Sequence, residues 1–197
     1  MNNDAPDKDT AGGRRQQEPR GPRQPRPIDA AQLQELALGY AARYATTAAK
    51  LRRYLVRKLR ERAWTPAEAP DIEALIARII GLGYVDDRAY AVLKARELSG
   101  RGFGQRRVRS ALSAAGVARD DSEAALDPDG ESNPHGVAIA FARRRRFGPF
   151  ARDGVAGDPV RQRRELAAMA RAGHDFDVAR RVLEAADEAA LEALIDD

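Results

Sequence analysis

Gln105-Arg106-Arg107-Val108-Arg109-Ser110-Ala111-Leu112-Ser113-Ala114-Ala115-Gly116 is the stretch that decides the fold. Val108, Leu112 and Ala115 return every three or four residues, which puts them on one side of an α-helix, and helices end readily on a glycine such as Gly116. The same grammar returns in Gln162-Arg163-Arg164-Glu165-Leu166-Ala167-Ala168-Met169-Ala170-Arg171-Ala172-Gly173. Gln105-Arg106-Arg107, Ala111-Leu112 and Ala115-Gly116 match Gln162-Arg163-Arg164, Ala168-Met169 and Ala172-Gly173, every pair 57 residues apart. Arg53 and Leu59 hold corresponding places nearer the N-terminus, and Tyr44, Tyr90 and Phe141 supply an aromatic near the head of each copy. Self-similarity at a fixed offset is the mark of a tandem-repeat protein.

Working outward, every strong period is helical. Leu33, Leu36, Tyr40 and Tyr44 follow 3–4–4 spacing, and Leu51, Leu55 and Leu59 follow 4–4 behind Thr46 and Thr47 as N-cap candidates. Asp71 opens a third helix carrying Ile72, Leu75, Ile76, Ile79 and Ile80, stopped by Gly81 and Gly83. Asp86 and Asp87 open a fourth, bearing Tyr90, Leu93 and Leu98 and ending at Gly100; a short helix spans about Asp121 to Leu126. Beyond the turn-rich Asp127–Pro134, helices run through Val137 and Phe141, from Pro159 to Gly173, and from Asp175 or Asp177 through Val178, Val182, Leu183, Leu191 and Leu194 as one element. No stretch alternates at period two, so the fold class is all-α: three tandem three-helix repeats in an elongated, curved arrangement. The organisation read from the chain is a basic, Pro-rich disordered tail at 1–28, repeat one at 29–84, repeat two at 85–127, a linker at 128–134, and repeat three with an acidic extension at 135–197.

The 197 residues contain no cysteine and only two histidines, which excludes disulfide frameworks, zinc knuckles and thiol nucleophiles. The apolar runs are far shorter than the ~20 residues of a membrane span. A polar N-terminus without an apolar core is no signal peptide. A soluble, cytoplasmic, monomeric protein without cofactor or metal is the expectation.

Charge is distributed in blocks. Arg43 to Arg62 holds eight basic residues against Glu61, Lys94 to Arg109 six against Glu97, and Arg143 to Arg164 eight against Asp153 and Asp158. Glu184 to Asp197 holds six acids and no Lys or Arg. Basic charge returning at the same place in each copy points to a surface that meets an acidic or polyanionic partner repeatedly. The positions selected are Arg52, Arg53, Arg57 and Lys58 in repeat one; Arg106, Arg107 and Arg109 in repeat two; and Arg144, Arg145, Arg163 and Arg164 in repeat three.

No catalytic group assembles. Asp86 and Asp87 sit before a helix and read as N-caps rather than metal ligands. Gly100-Arg101-Gly102-Phe103-Gly104 follows a helix and lacks the Lys-Ser/Thr of a P-loop, so it reads as a tight helix–helix turn. His135 and His174 have no partner at ligand spacing, Trp64 reads as a packing residue, and no serine has the flanks of a nucleophile elbow.

The segment Gly83-Tyr84-Val85-Asp86-Asp87-Arg88-Ala89-Tyr90-Ala91, with Arg96, Gly102-Phe103-Gly104, Arg106, Leu112 and Gly116-Val117, resembles the RecX family of recombination regulators. The shared pattern is a Gly-Tyr/Leu-x-Asp-Asp turn, an aromatic–Ala helix, a Gly-x-Gly turn and a Leu-x-x-x-Gly helix end. It gives Asp86, Asp87, Tyr90, Gly102, Gly104 and Gly116 a structural part, and the resemblance covers about residues 36 to 186. It implies a protein that is not an enzyme. It also implies binding to the RecA recombinase and to the filament RecA forms on single-stranded DNA, with mainly inhibitory effect on ATPase, strand exchange and coprotease activity. Weak direct contact with single- or double-stranded DNA is a further implication, and a RecA-independent helical-repeat DNA binder is the alternative.

Overall fold

The computed structural model describes residues 26–127, 133–151 and 158–196. Among them are ten α-helices, one 3-10 turn and one pair of two-residue strands. Tail residues 1–25 and linker residues 128–132 lie outside the described residues.

The first cluster of elements is β1 (Pro27–Ile28), α1 (Ala30–Arg43), α2 (Ala48–Glu61), β2 (Ala63–Trp64) and α3 (Ile72–Gly81). Each helix begins on a residue suited to it. Asp29 accepts from Gln32 N–H at 2.8 Å while its own N–H donates to the Gln32 side chain, a full capping box. Thr47 caps α2, and Asp71 accepts from Ala74 N–H at 2.9 Å to start α3. Leu33, Leu51, Leu55, Ile76 and Ile79 close the core with Ile28. Ile28 was expected at the end of the tail; it is instead fully buried, and β1 pairs in parallel with β2. A two-residue pairing carries no period to read, so the sequence could not display it.

The middle helices are α4 (Asp87–Gly100), α5 (Gln105–Ala115) and α6 (Arg119–Leu126). The core stripe of α4 is Ala91, Ala95 and Leu98, whereas Leu93, expected inside, is 63% exposed. Alanines four apart leave α4 a shallow face against which another helix packs closely, so here the size of the side chain mattered less than its register. Val108, Leu112 and Ala115 of α5 lie inside, as their spacing requires.

The last helices are α7 (Pro134–Arg145), α8 (Pro159–Arg171), α9 (Phe176–Glu184) and α10 (Glu188–Asp196), with the 3-10 turn at Gly148–Phe150. The expected single C-terminal helix is two. Ala185 leaves the helical region at ψ 135°, and Asp187 then caps α10 by accepting from Ala190 N–H at 2.9 Å. Phe141, Met169, Val182, Leu183 and Leu191 form this core. Phe103, from the turn before α5, packs against both this core and the middle one.

Candidate partner-binding helices and the joints that place them

Three of the helices that bear the selected basic residues, α2, α5 and α8, meet end to end; Arg144 and Arg145 lie on α7, outside that series. The C-terminus of α8 meets the N-terminus of α5: Gly104 N–H donates to Ala172 O at 3.0 Å and Arg106 N–H to Gly173 O at 3.1 Å. The first amides of a helix have no partner within it, and Gly104 offers no capping side chain. Another helix's last carbonyls do that work. Both glycines are required by proximity: a Cβ on Gly104 would lie 2.3 Å from Gly173 O, and one on Gly173 (φ +92°) 2.3 Å from Arg107 N. Buried His174 closes the joint, its Nε2 3.0 Å from Gly102 O and its ring beside Phe141. Burial holds this imidazole below the usual histidine value, with the Gly102 carbonyl acting in the opposite sense.

The C-terminus of α5 meets the N-terminus of α2 in turn. The Thr47 hydroxyl donates to Ala115 O at 2.6 Å and accepts from Lys50 N–H at 3.1 Å, so one buried oxygen finishes one helix and starts the next. Arg53 donates to Ala114 O at 3.2 Å. Gly116 (φ +82°) leaves no room for a side chain, since a Cβ would lie 2.3 Å from Ala49 Cβ. Beside this joint Lys50 donates to the Tyr90 hydroxyl of α4. The paired acids divide their work. Asp86 caps α4 as expected, accepting from Ala89 N–H at 2.8 Å, but Asp87 caps α2 rather than its own helix, accepting from Ala48 N–H at 2.8 Å.

Helix dipoles thus run in series from α8 through α5 to α2, negative end against positive end at each joint. The glycines that the 57-residue offset pairs, Gly116 and Gly173, both end a helix in the left-handed region and both face the first turn of the next. The sequence carried one unread signal for these contacts: a helix that begins on Gly104, where Ser, Asp or Asn is preferred, must find its cap elsewhere.

The selected basic residues fall into two groups. Arg52 forms a two-pronged ion pair with Glu73, Arg106 pairs with Asp175 at 2.8 Å and Arg109 with Glu123 at 2.9 Å. Glu73 and Glu123 are held below the usual carboxylate range chiefly by those hydrogen bonds. Arg57 and Lys58 share Glu61 at 3.6 and 2.6 Å. Arg107, Arg144, Arg163 and Arg164 are exposed and meet no carboxylate among the described residues, and Arg145 lies over the Phe141 ring at 5.7 Å. No group of His, Asp or Glu suited to a metal ion occurs among the described residues, nor does any described helix have the length and apolarity to cross a membrane.

Two solved structures share this fold: RecX from Lactobacillus salivarius, with TM-score 0.62, 17% identity and coverage of 78% of this chain and 94% of that one, and a second regulatory protein RecX, with TM-score 0.56, 20% identity and coverage of 77% and 72%. No protein-family model matches the chain. Regulatory protein RecX of Agrobacterium fabrum is 34% identical over 153 residues, 76% of this chain and 80% of that protein. Regulatory protein RecX of Myxococcus xanthus is 34% identical over 179 residues, 88% of this chain and 95% of that protein. Similarity at this level along nearly the whole length, on a common helical fold, places the chain in the RecX family of regulatory proteins.

Proposed function

We propose that the chain regulates the RecA recombinase by binding the filament that RecA assembles on single-stranded DNA, and that it mainly suppresses the filament's ATPase, strand-exchange and coprotease activities. The observation that carries this reading is the alignment with the Myxococcus xanthus relative across 95% of that protein. It spans the repeated helices and their joints together, so the likeness is to a whole regulator and not to one shared module.

The geometry supplies a means. Three helices joined end to end hold Arg53, Arg107, Arg163 and Arg164 on one connected series, suited to a partner that repeats along its length. Of the selected residues, Arg107, Arg144, Arg163 and Arg164 have the strongest claim to a partner's carboxylates or phosphates. Arg52, Arg106 and Arg109 would first have to leave an internal acid. The protein acts as a cytoplasmic monomer and needs no cofactor.

The test is RecA ATPase on preformed single-stranded-DNA filaments at near-physiological salt, with RecA in clear excess and the DNA saturated. A strong fall at low ratios of this protein to RecA is the expected result. No effect until the protein outnumbers DNA sites, together with RecA-free DNA binding whose log affinity falls steeply with log salt, would replace this reading by simple DNA competition. The double substitution Arg163→Glu/Arg164→Glu should weaken filament binding at an almost unchanged melting temperature, because exposed charges contribute little to folding.

A further inference from the structure

One groove owes nothing to the joints. It is an open groove of about 800 Å³ between α1 and α2. Three tyrosines line it. Tyr40 and Tyr54 stack at 4.2 Å and 16°, and Tyr44, a residue 57% exposed, lies with its ring centre 5.3 Å from that of Tyr40. Around them stand Arg43, Arg57, Lys58 and Arg62, with Glu35 in the lining and Glu61 beside it, where it holds Arg57 at 3.6 Å and Lys58 at 2.6 Å. The Arg57 and Lys58 charges sit 5.7 and 5.8 Å from the Tyr54 ring centre. Arg43 has no carboxylate partner among the described residues.

Gly39 makes the groove more than a gap between side chains. It lies inside α1, where glycine costs up to about 1 kcal/mol relative to alanine, and a Cβ there would meet nothing within 4 Å. Internal packing therefore does not call for this glycine. An occupant approaching the α1 backbone would.

We infer that this groove binds one or two nucleotides of a single strand, a base stacking on Tyr44 and the flanking phosphates meeting Arg43 and Arg62. Flat rings offered beside a surplus of positive charge are the combination by which proteins hold unpaired nucleic acid: stacking is indifferent to base identity, and the cations follow the backbone. A duplex keeps its bases stacked on each other and offers Tyr44 nothing. An acidic peptide would meet the arginines but leave the tyrosine ladder unused. This contact does not depend on the RecA reading and is measured without RecA.

The experiment is fluorescence anisotropy of a labelled 15-nucleotide oligothymidine titrated with the full chain. Tyr44→Ala should weaken binding about tenfold, the range seen for loss of one stacked base, while Tyr44→Phe and Tyr44→Trp retain it. Gly39→Leu should also weaken binding, by filling the groove, while improving the helix propensity of α1, and an unlowered melting temperature excludes a folding defect as the cause. An oligomer of abasic residues, with the same phosphates and no bases, should bind more weakly than oligothymidine and should not discriminate Tyr44→Ala from the parent. Affinities within twofold of the parent for both Tyr44→Ala and Gly39→Leu would overturn the assignment. So would equal binding of the abasic strand, or equal competition by polyglutamate, either of which would make the groove a general anion surface.

Discussion

Two joints link the same kinds of helix end, and they are made of different material. Between α5 and α2 the outgoing carbonyls of Ala114 and Ala115 are met by side chains, Arg53 and Thr47, while Asp87 reaches across to the first amide of α2. Between α8 and α5 the carbonyls of Ala172 and Gly173 are met by the backbone amides of Gly104 and Arg106. The first arrangement is specified by residues that are present, the second by side chains that are absent. A side-chain joint can give a little when disturbed. A backbone joint has no slack, because its partners cannot change rotamer.

That contrast is open to direct attack. The largest loss should come from Gly173→Ala, which combines a left-handed residue with a Cβ 2.3 Å from Arg107 N; about 3 kcal/mol or more of stability is expected to go, read by urea denaturation. Arg107→Gly should not soften it, since the obstacle includes the backbone. Gly116→Ala should cost about 2 kcal/mol, and here the obstacle is the Ala49 methyl. In an Ala49→Gly background that penalty should shrink by about 1 kcal/mol, a coupling visible in a double-mutant cycle. If both glycines respond alike to trimming of the facing residue, the distinction between the joints fails.

Thr47→Val keeps the shape and removes the hydroxyl, leaving Ala115 O and Lys50 N–H without their buried partner. A loss of about 2 kcal/mol is expected in the same assay. The smallest effect sharpens the other side. Because burial lowers the His174 value in the folded state, the unfolded chain takes up the proton first. The contribution of this neutral histidine is therefore complete above the ordinary value of 6.5 and is lost as pH falls from there through the folded value. Melting temperature followed from pH 8 to pH 5 should show that decline, and His174→Gln should flatten it. The α5–α2 joint contains no histidine, so Thr47→Val should leave the slope as it was.

Much of this was legible in the chain. The periods at Leu51–Leu55, Ile76–Ile79 and Val108–Leu112 named buried residues, and the pattern around Asp86–Asp87 named the family before any fold was in view. Amphipathic spacing and N-cap chemistry are local, and local rules can be read locally. What escaped depends on distant neighbours. Leu93 looked like core until alanines proved to be the packed face. Asp87 looked like a cap for α4 because nothing nearby reveals that α2 begins within its reach. His174 looked like an incidental residue after a glycine, yet its acceptor lies 72 positions earlier. The basic blocks are plain in the sequence, but the pairing of Arg52, Arg106 and Arg109 with Glu73, Asp175 and Glu123 is set by the approach of helices whose contact no spacing announces.

The head-to-tail series runs against the order of synthesis. A ribosome delivers α2 first, then α5, then α8, so the carbonyl end of α5 finds α2 already waiting with Thr47 in place. The amide end of α5 waits longer. Gly104 and Arg106 must keep their N–H groups on water until Ala172 and Gly173 emerge nearly seventy residues later. A nascent chain halted between those points carries a finished first joint and an open second one. Its middle helices would be tethered at one end and frayed at the other until the last third of the message had been read.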